Sequence, residues 1–489
     1  MGRSFVRSRM TTTDEGKTGR PGPKRGIYPL QLHAKVRTGG GRPTPVFGAQ
    51  QGWRMGFFRA GPWGSSRAGP RRAGPLRGFR AGQMAYKARV LCLSVIRTMS
   101  RDTVQMDASL GDEDYQNRIL PHVSRTFALT IPQLPPALRT AVTNAYLLCR
   151  IADTIEDETP ASAATTLVLQ QRFVAVVCGK EDADVLARDV ARQLSERTLP
   201  AERDLILNMK RVVGITTGFD EEQRVAIQRC LDIMCHGMHE FQQTASLRGL
   251  PRATDLDDYC YYVAGVVGQM LTELFCSYSS GARRHRAELN DLAVSFAQGL
   301  QMTNILKDVW EDHSRGACWL PQEVFSRYGV DLAQLAPGKG GTGFDAGMRE
   351  LVGVAHLHLR NALTYTLLIP ARETGIRRFC LWAIGLAVLT LRRIAATPGF
   401  TSGSQVKVSH AAVGFTQLST NIAVRSNWLL WRLFNWAARG LPLAAPAVAR
   451  RSPRPALHLA GPTTAEKNIS ARPVPLERAA RRSEGRSGL

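Results

Sequence analysis

The sequence predicts an all-α protein, one large helical domain between two basic, disordered extensions. Three observations carry this. Apolar residues recur at three- and four-residue spacing from Arg118 onward, and alternating strand patterns are scarce. Proline and glycine punctuate the pattern at Pro160, Pro200, Pro251, Gly281, Pro321, the Gly-rich stretch 338–347, Pro398 and Gly399. Charge divides the 489 residues into three parts: residues 1–105 hold 21 Lys and Arg against 3 Asp and Glu, residues 106–436 hold 33 against 34, and residues 437–489 hold 10 against 3. The formal net charge of +24 therefore sits on the ends, and the centre is nearly neutral, as a folded enzyme domain often is.

The expected domains are a disordered arm over 1–105, a helical domain over 106–427, and an interfacial helix with a basic tail over 428–489. The arm repeats Arg-Ala-Gly-Pro at 59–62, 67–70 and 72–75, with a near-repeat at 80–83. Such a composition buries too little apolar surface to offset chain ordering. The arm reads as disordered, or as an upstream extension of a natural chain starting at Met99 or Met106. Nucleic-acid binding through it is the weaker reading, and no nucleic acid is expected as a partner. The nine cysteines form no C-x-x-C pair and sit mostly among apolar residues, as in Cys149, Cys230, Cys260 and Cys380. That pattern points to reduced, buried thiols in a cytoplasmic protein, with neither a disulfide frame nor a zinc site. No signal peptide opens the chain.

Helices are predicted near 135–158, 163–178, 182–196, 201–214, 220–245, 255–279, 285–313, 346–368, 372–396 and 410–437. The apolar run 379–391 is too short to span a bilayer and reads as a buried helix. Residues 428–449 are longer but carry Arg432, Arg439 and Pro442. They read as an interfacial helix, with Trp428, Trp431 and Trp436 at headgroup depth, or as an ordinary surface helix; spanning is disfavoured.

Two helices carry paired aspartates. In the first, Tyr146, Arg150, Asp153 and Asp157 fall at i, i+4, i+7 and i+11, with Glu156 beside them and Leu148, Ile151 and Ile155 on the neighbouring stripe. In the second, Gln301, Asn304, Asp308 and Asp312 share a face, while Met302, Ile305 and Val309 point elsewhere. Carboxylates one turn apart repel, so two such pairs in apolar helices call for a cation. Magnesium takes oxygen ligands and bridges carboxylates to phosphates. A single D-x-x-x-D is most often a solvated helix face; two, each with polar partners on the stripe, favour a site.

These residues resemble the squalene/phytoene synthase family over about two-thirds of the chain, most closely its squalene-forming members. The segment Ser124-Arg125-Thr126-Phe127 is similar to the family's first substrate contact. Asp153 to Asp157 resembles the first aspartate motif, and Cys235 to Glu240 the helix before the next one. Tyr259-Cys-Tyr-Tyr-Val-Ala-Gly-Val-Val-Gly268 is similar to a long signature. Gln301 to Asp312, followed by Trp319-Leu-Pro, resembles the second aspartate motif and its exit. Several motifs in order are far more specific than any one.

The resemblance implies an isoprenoid-synthase-type helical bundle and a head-to-head condensation of two farnesyl diphosphates to presqualene diphosphate. Reduction by NADPH to squalene would follow. It implies Mg²⁺ (or Mn²⁺) on Asp153, Glu156, Asp157, Asp308 and Asp312. Substrate would be held by Ser124, Arg125, Phe127, Tyr146, Arg150, Gln301, Asn304, Lys307 and Arg315. Tyr259 is carried over as a proton relay or cation stabiliser, with a core tyrosine as the plain alternative. Residues 263–270 would line a dry apolar wall, though half of them may equally be ordinary core. Two departures stand out. Ala317 occupies a position where relatives often place arginine, and Arg315 is the candidate substitute. No G-x-G-x-x-G follows a strand, so NADPH would bind a non-Rossmann pocket that includes Asn304, Lys307 and the late segment 400–417. There Lys407 is kept and His410 stands where a second cation is common; a surface histidine is the equal alternative. A non-reducing synthase of phytoene, dehydrosqualene or presqualene diphosphate, and a non-catalytic membrane adaptor, are the rival readings. A monomer with peripheral membrane contact is expected.

Overall fold

The computed structural model describes residues 111–124, 126–159 and 162–444. The predicted arm and basic tail, and Arg125, lie outside these described residues. All described residues fall in one compact unit. The prediction of an all-α protein holds: the only pairing of strand type among the described residues is an isolated bridge between Leu250 and Pro321.

A helix missing from the sequence reading opens the described chain: α1 (Asp112–Val123). Three acidic residues in its first turn favour a helix start, while Pro121 in its last turn weakens the periodic signal. Next come α2 (Pro136–Glu158), α3 (Ala163–Val177), α4 (Ala183–Gln193), α5 (Pro200–Leu207), α6 (Met209–Thr217) and α7 (Glu221–Thr244). Pro136 and Pro200 stand at the first turns of their helices, where no amide partner is lost. Asp220 caps α7 in a reciprocal box with Gln223. The second half holds α8 (Ala253–Cys260), α9 (Val266–Tyr278), α10 (Arg286–Lys307), α11 (Gly341–Leu368), α12 (Thr374–Ala396), α13 (His410–Ala423) and α14 (Asn427–Ala437). α10 lies along α11 and against α9 and α12, while α9 also packs on α7. α12 is long and apolar enough to cross a membrane, yet most of its apolar length is buried in the bundle. The run 379–391 is thus a core helix, as expected.

Five predicted boundaries need correction. The helix expected over 201–214 divides at Asn208, whose side chain donates to the Asp204 carbonyl (2.9 Å). The one expected over 255–279 contains a π-helical turn, Tyr261–Gly265. The helix expected over 285–313 breaks at Asp308, where a late loop docks, and Asp312 belongs to a separate short helix, Val309–Ser314. The one expected over 410–437 turns at residues 424–426, and Ser426 caps α14. The Gly-rich stretch does not separate helices after 341. A Cβ at Gly343 would lie 2.6 Å from the Tyr328 carbonyl, and one at Gly347 2.6 Å from the Phe325 ring. Those glycines admit close packing inside α11.

α10 and α11 also share a buried polar contact. Ser295 Oγ bonds His358 Nδ1 (2.8 Å) and accepts from Asn361 (2.9 Å). Burial lowers the His358 pKa from 6.5 to about 4. The unfolded chain therefore binds a proton that the folded one refuses. The resulting stability is complete above pH 6.5 and is lost as pH falls toward 4, by about 3 kcal/mol. Buried carboxylates with raised pKa act in the opposite sense over this range, so the comparison must be against a variant. Denaturant midpoints of wild type and His358→Asn, measured from pH 7 to 4, should converge as pH falls; parallel curves would sink the assignment.

Candidate active site

α2 supplies the first acidic segment. Its polar stripe does not face water: Asp153 is 1% exposed, Glu156 3% and Asp157 8%. This removes the solvated-face alternative. Leu148, Ile151 and Ile155 are fully buried on the adjoining stripe. Arg150 donates to the Tyr146 hydroxyl (3.2 Å) and lies 3.7 Å from the Asp153 carboxylate. Tyr146 in turn donates to the Val123 carbonyl (3.2 Å). Ser124 Oγ accepts from the Phe127 amide (3.1 Å), and the Phe127 ring lies 5.0 Å from that of Tyr146. The described part of the segment before α2 is thus packed onto the stripe. Burial pushes the Asp153 pKa up to about 7; Arg150 opposes the shift and Glu202 adds to it. Glu156 is raised well above the usual range, by burial and then by Asp153.

The second segment closes α10. Gln301 and Asn304 are buried in its last turns. Lys307 pairs with Asp308 at 2.9 Å. Burial, then Asp308, pushes Asp312 up to about 7, against the pull of Arg315. Arg315 also acts on Asp308, so the candidate substitute for the residue missing at Ala317 stands beside both aspartates.

Tyr259, at the end of α8, joins the two. It is 2% exposed, stacks on Trp319 (4.2 Å, 7°) and meets Phe241 edge-on (5.3 Å). Its pKa is raised by burial first, then by Asp312, Glu156 and Asp157. Carboxylates of both segments thus act on one buried phenol. The π turn that follows Tyr259 re-aims the signature. Val263 and Val266 go to the core, while Val267, Met270 and Leu271 line a cavity. Close approaches explain the nearby glycines. A Cβ at Gly237 would fall 2.1 Å from the Tyr262 ring, and one at Gly268 2.6 Å from the Ala293 carbonyl.

That cavity has a polar end of Tyr146, Arg150 and Asp153, and apolar walls that include Phe127, Ile131, Val142 and Phe379. A wider surface depression lies elsewhere, among Asp220, Glu222, Arg229, Glu273 and Arg286. Its charges pair with each other, as in Arg286–Glu222 (3.0 Å). The sequence reading missed Phe379, Cys149 and Glu202. Phe379 was hidden inside an apolar run, and Glu202 carries no motif at all.

Among the described residues, no three carboxylate, imidazole or thiol groups converge tightly enough to hold an ion alone. Magnesium does not need that, since it keeps waters and shares phosphate ligands. Asp153 Oδ1, Glu156 Oε2, Asn304 Oδ1 and Glu311 Oε2 are buried oxygens without a hydrogen-bond partner among the described residues. Hard oxygen donors lacking partners fit such a cation. The late segment docks on the second acidic one. Trp310 Nε1 donates to the Phe400 carbonyl (2.6 Å), and the Gly403 amide donates to Glu311 (2.9 Å). A Cβ at Gly403 would lie 3.0 Å from the Lys307 carbonyl and 3.1 Å from Asp308. Lys407 and His410 follow, both exposed.

A buried acidic segment with an arginine within it thus borders a small, mostly apolar cavity inside a helical bundle. The sequence profile of squalene/phytoene synthases matches residues 120–412. The chain belongs to the squalene/phytoene synthase family. It is 30% identical over 276 residues to the squalene synthase of Eremothecium gossypii, covering 56% of this chain and 60% of that protein. It is 28% identical over 288 residues to that of Dictyostelium discoideum, covering 59% and 65%. The match thus spans less than two-thirds of either relative. A solved structure of TcSQS with the ligand E5700 superposes with a TM-score of 0.54 at 23% identity, over 67% of this chain and 91% of that one; this likeness speaks for the fold.

Proposed function

We propose that this chain condenses two farnesyl diphosphates head to head into presqualene diphosphate, then reduces that product to squalene with NADPH. The observation that supports the reading is that carboxylates of both acidic segments act on the buried Tyr259 phenol, in a bundle that also holds a cavity with Tyr146, Arg150 and Asp153 at its polar end. Arg150, with Arg125 and Arg315, would fork onto diphosphate oxygens. Mg²⁺ or Mn²⁺ held by Asp153, Asp157, Asp308 and Asp312 would neutralise charge on the departing diphosphate. The C–O bond breaks and diphosphate leaves with the electron pair. The double bond of the second substrate attacks the allylic cation, and loss of a proton closes the cyclopropane. Tyr259 would receive that proton or steady the cation. The apolar walls exclude water that would quench it.

The docking of Phe400 and Gly403 on Trp310 and Glu311 favours the reductive reading over the non-reducing one. Asn304, Lys307, Lys407 and His410 would then contribute contacts to the cofactor phosphates. Mass spectrometry of products from farnesyl and geranylgeranyl diphosphate, each with and without NADPH, is the test. Squalene from farnesyl diphosphate with NADPH is expected. Dehydrosqualene in the presence of NADPH would overturn the reductive step, and no condensed product from either substrate would overturn the whole reading.

A further inference from the structure

A third hollow joins the inner cavity to the surface depression. It is a pocket of about 140 Å³, walled by Cys230 and Ile233 of α7, Val266 and Met270 of α9, and Asn290 of α10. Ala226, Arg229 and Glu273 line both this pocket and the depression, so it opens outward. On its inner side it meets the cavity at Met270, the single lining residue that the two share.

Helical geometry puts Met270 on that boundary. Val266 faces the pocket and Val267 faces the cavity. Met270 stands four residues after the first and three after the second, so it borders both faces of α9. It is 3% exposed, and its thioether therefore fills the wall. The wall is thin. Cys149 on the cavity side and Cys230 on the pocket side are hydrogen-bonding neighbours beside it.

The volumes give this wall a consequence. The cavity has about 30 Å³ of open space, room for about two waters. An isoprene unit beyond the length already accommodated finds no space there, whereas the pocket behind Met270 offers several times more. Beside Met270 that pocket is walled by Cys230, Ile233 and Val266, which suit a hydrocarbon. Its polar side is already paired: Glu273 accepts from Asn290 (2.8 Å) and forms an ion pair with Arg286. Methionine, unbranched and polarisable, is the side chain best able to plug such an irregular gap.

We propose that Met270 sets the length of prenyl tail this chain accepts. Its side chain closes the cavity and holds the substrate to farnesyl length. With a smaller residue at 270, the pocket behind it takes the further isoprene unit of geranylgeranyl diphosphate. This assignment rests on the condensation proposed above, and its test reads binding apart from turnover.

The probes are unreactive thiodiphosphate analogues of farnesyl and geranylgeranyl diphosphate, titrated calorimetrically into the full chain with magnesium. Wild type should favour the farnesyl analogue. Met270→Ala should shift the affinity ratio toward the geranylgeranyl analogue about tenfold or more. Met270→Val, a milder truncation, should shift it less in the same direction. Ala226→Phe, which fills the outer pocket from its mouth, should reverse the shift when added to Met270→Ala. Circular dichroism checks that each variant is folded. With the natural substrates, Met270→Ala should also yield condensed products longer than those of wild type. An unchanged ratio in the folded variants would overturn the assignment. So would a shift that persists undiminished with Ala226→Phe, which would place the extra unit elsewhere. If wild type condenses farnesyl diphosphate while the ratio stays fixed, the role of Met270 falls and the reaction stands. If the ratio shifts as expected but no substrate is condensed, the reaction falls and the partition stands. Binding of neither analogue would overturn both.

Discussion

Asp153→Asn is expected to lower turnover of farnesyl diphosphate on the order of 10²–10³-fold. The residue is buried on α2, its Oδ1 has no hydrogen-bond partner among the described residues, and Arg150 reaches only the other oxygen, at 3.7 Å. The native carboxylate is thus under-compensated without a cation. Asparagine keeps the shape and one oxygen but removes the charge proposed to hold Mg²⁺. Turnover should fall while the fold persists, and the magnesium concentration for half-maximal activity should rise. Steady-state rates across a magnesium titration, with circular dichroism as a control, check this. Wild-type turnover at limiting magnesium would remove Asp153 from the site.

Tyr259→Phe is expected to cost about 10²-fold in kcat with little change in KM. The Tyr259 ring is held by Trp319 and Phe241, and phenylalanine would keep both contacts. The hydroxyl makes no hydrogen bond among the described residues, although the side chain is nearly inaccessible. With both ring contacts kept, the variant should melt close to the wild-type temperature. Lost turnover in an equally stable protein would separate a chemical role from a structural one. Full turnover would return Tyr259 to the status of a core residue. Trp319→Ala is the contrasting change: it removes the stacking partner and should lower stability by about 3 kcal/mol through the cavity it leaves.

The acidic stripes were legible because helical geometry is local. Residues at i, i+4, i+7 and i+11 share a face whatever surrounds them, so the alignment of Tyr146, Arg150, Asp153 and Asp157 needed only the sequence. Asp308 and Asp312 were harder. The break at Asp308 coincides with contacts to Phe400 and Gly403, about 90 residues away, and nothing near Asp308 announces it. The π turn at Tyr261–Gly265 was invisible for a similar reason. Its sequence is as apolar as an α-helix, and the close packing at Gly237 and Gly268 is set by partners on other helices. Glu202 enters the region of Asp153 from α5 with no pattern around it.

Periodicity and charge thus determined by themselves that this chain is a helical protein with a neutral centre, two acidic faces and basic ends. Whether those faces were wetted or buried, and whether they met, lay beyond any local signal. Burial is a property of what packs against a helix, and the carboxylates that act on Tyr259 stand more than 100 positions apart in the chain. The same holds for the aromatic face at the C-terminal end. The sequence supplied its tryptophans, but only the seating of α13 and α14 on α12 decided which side chains turn outward.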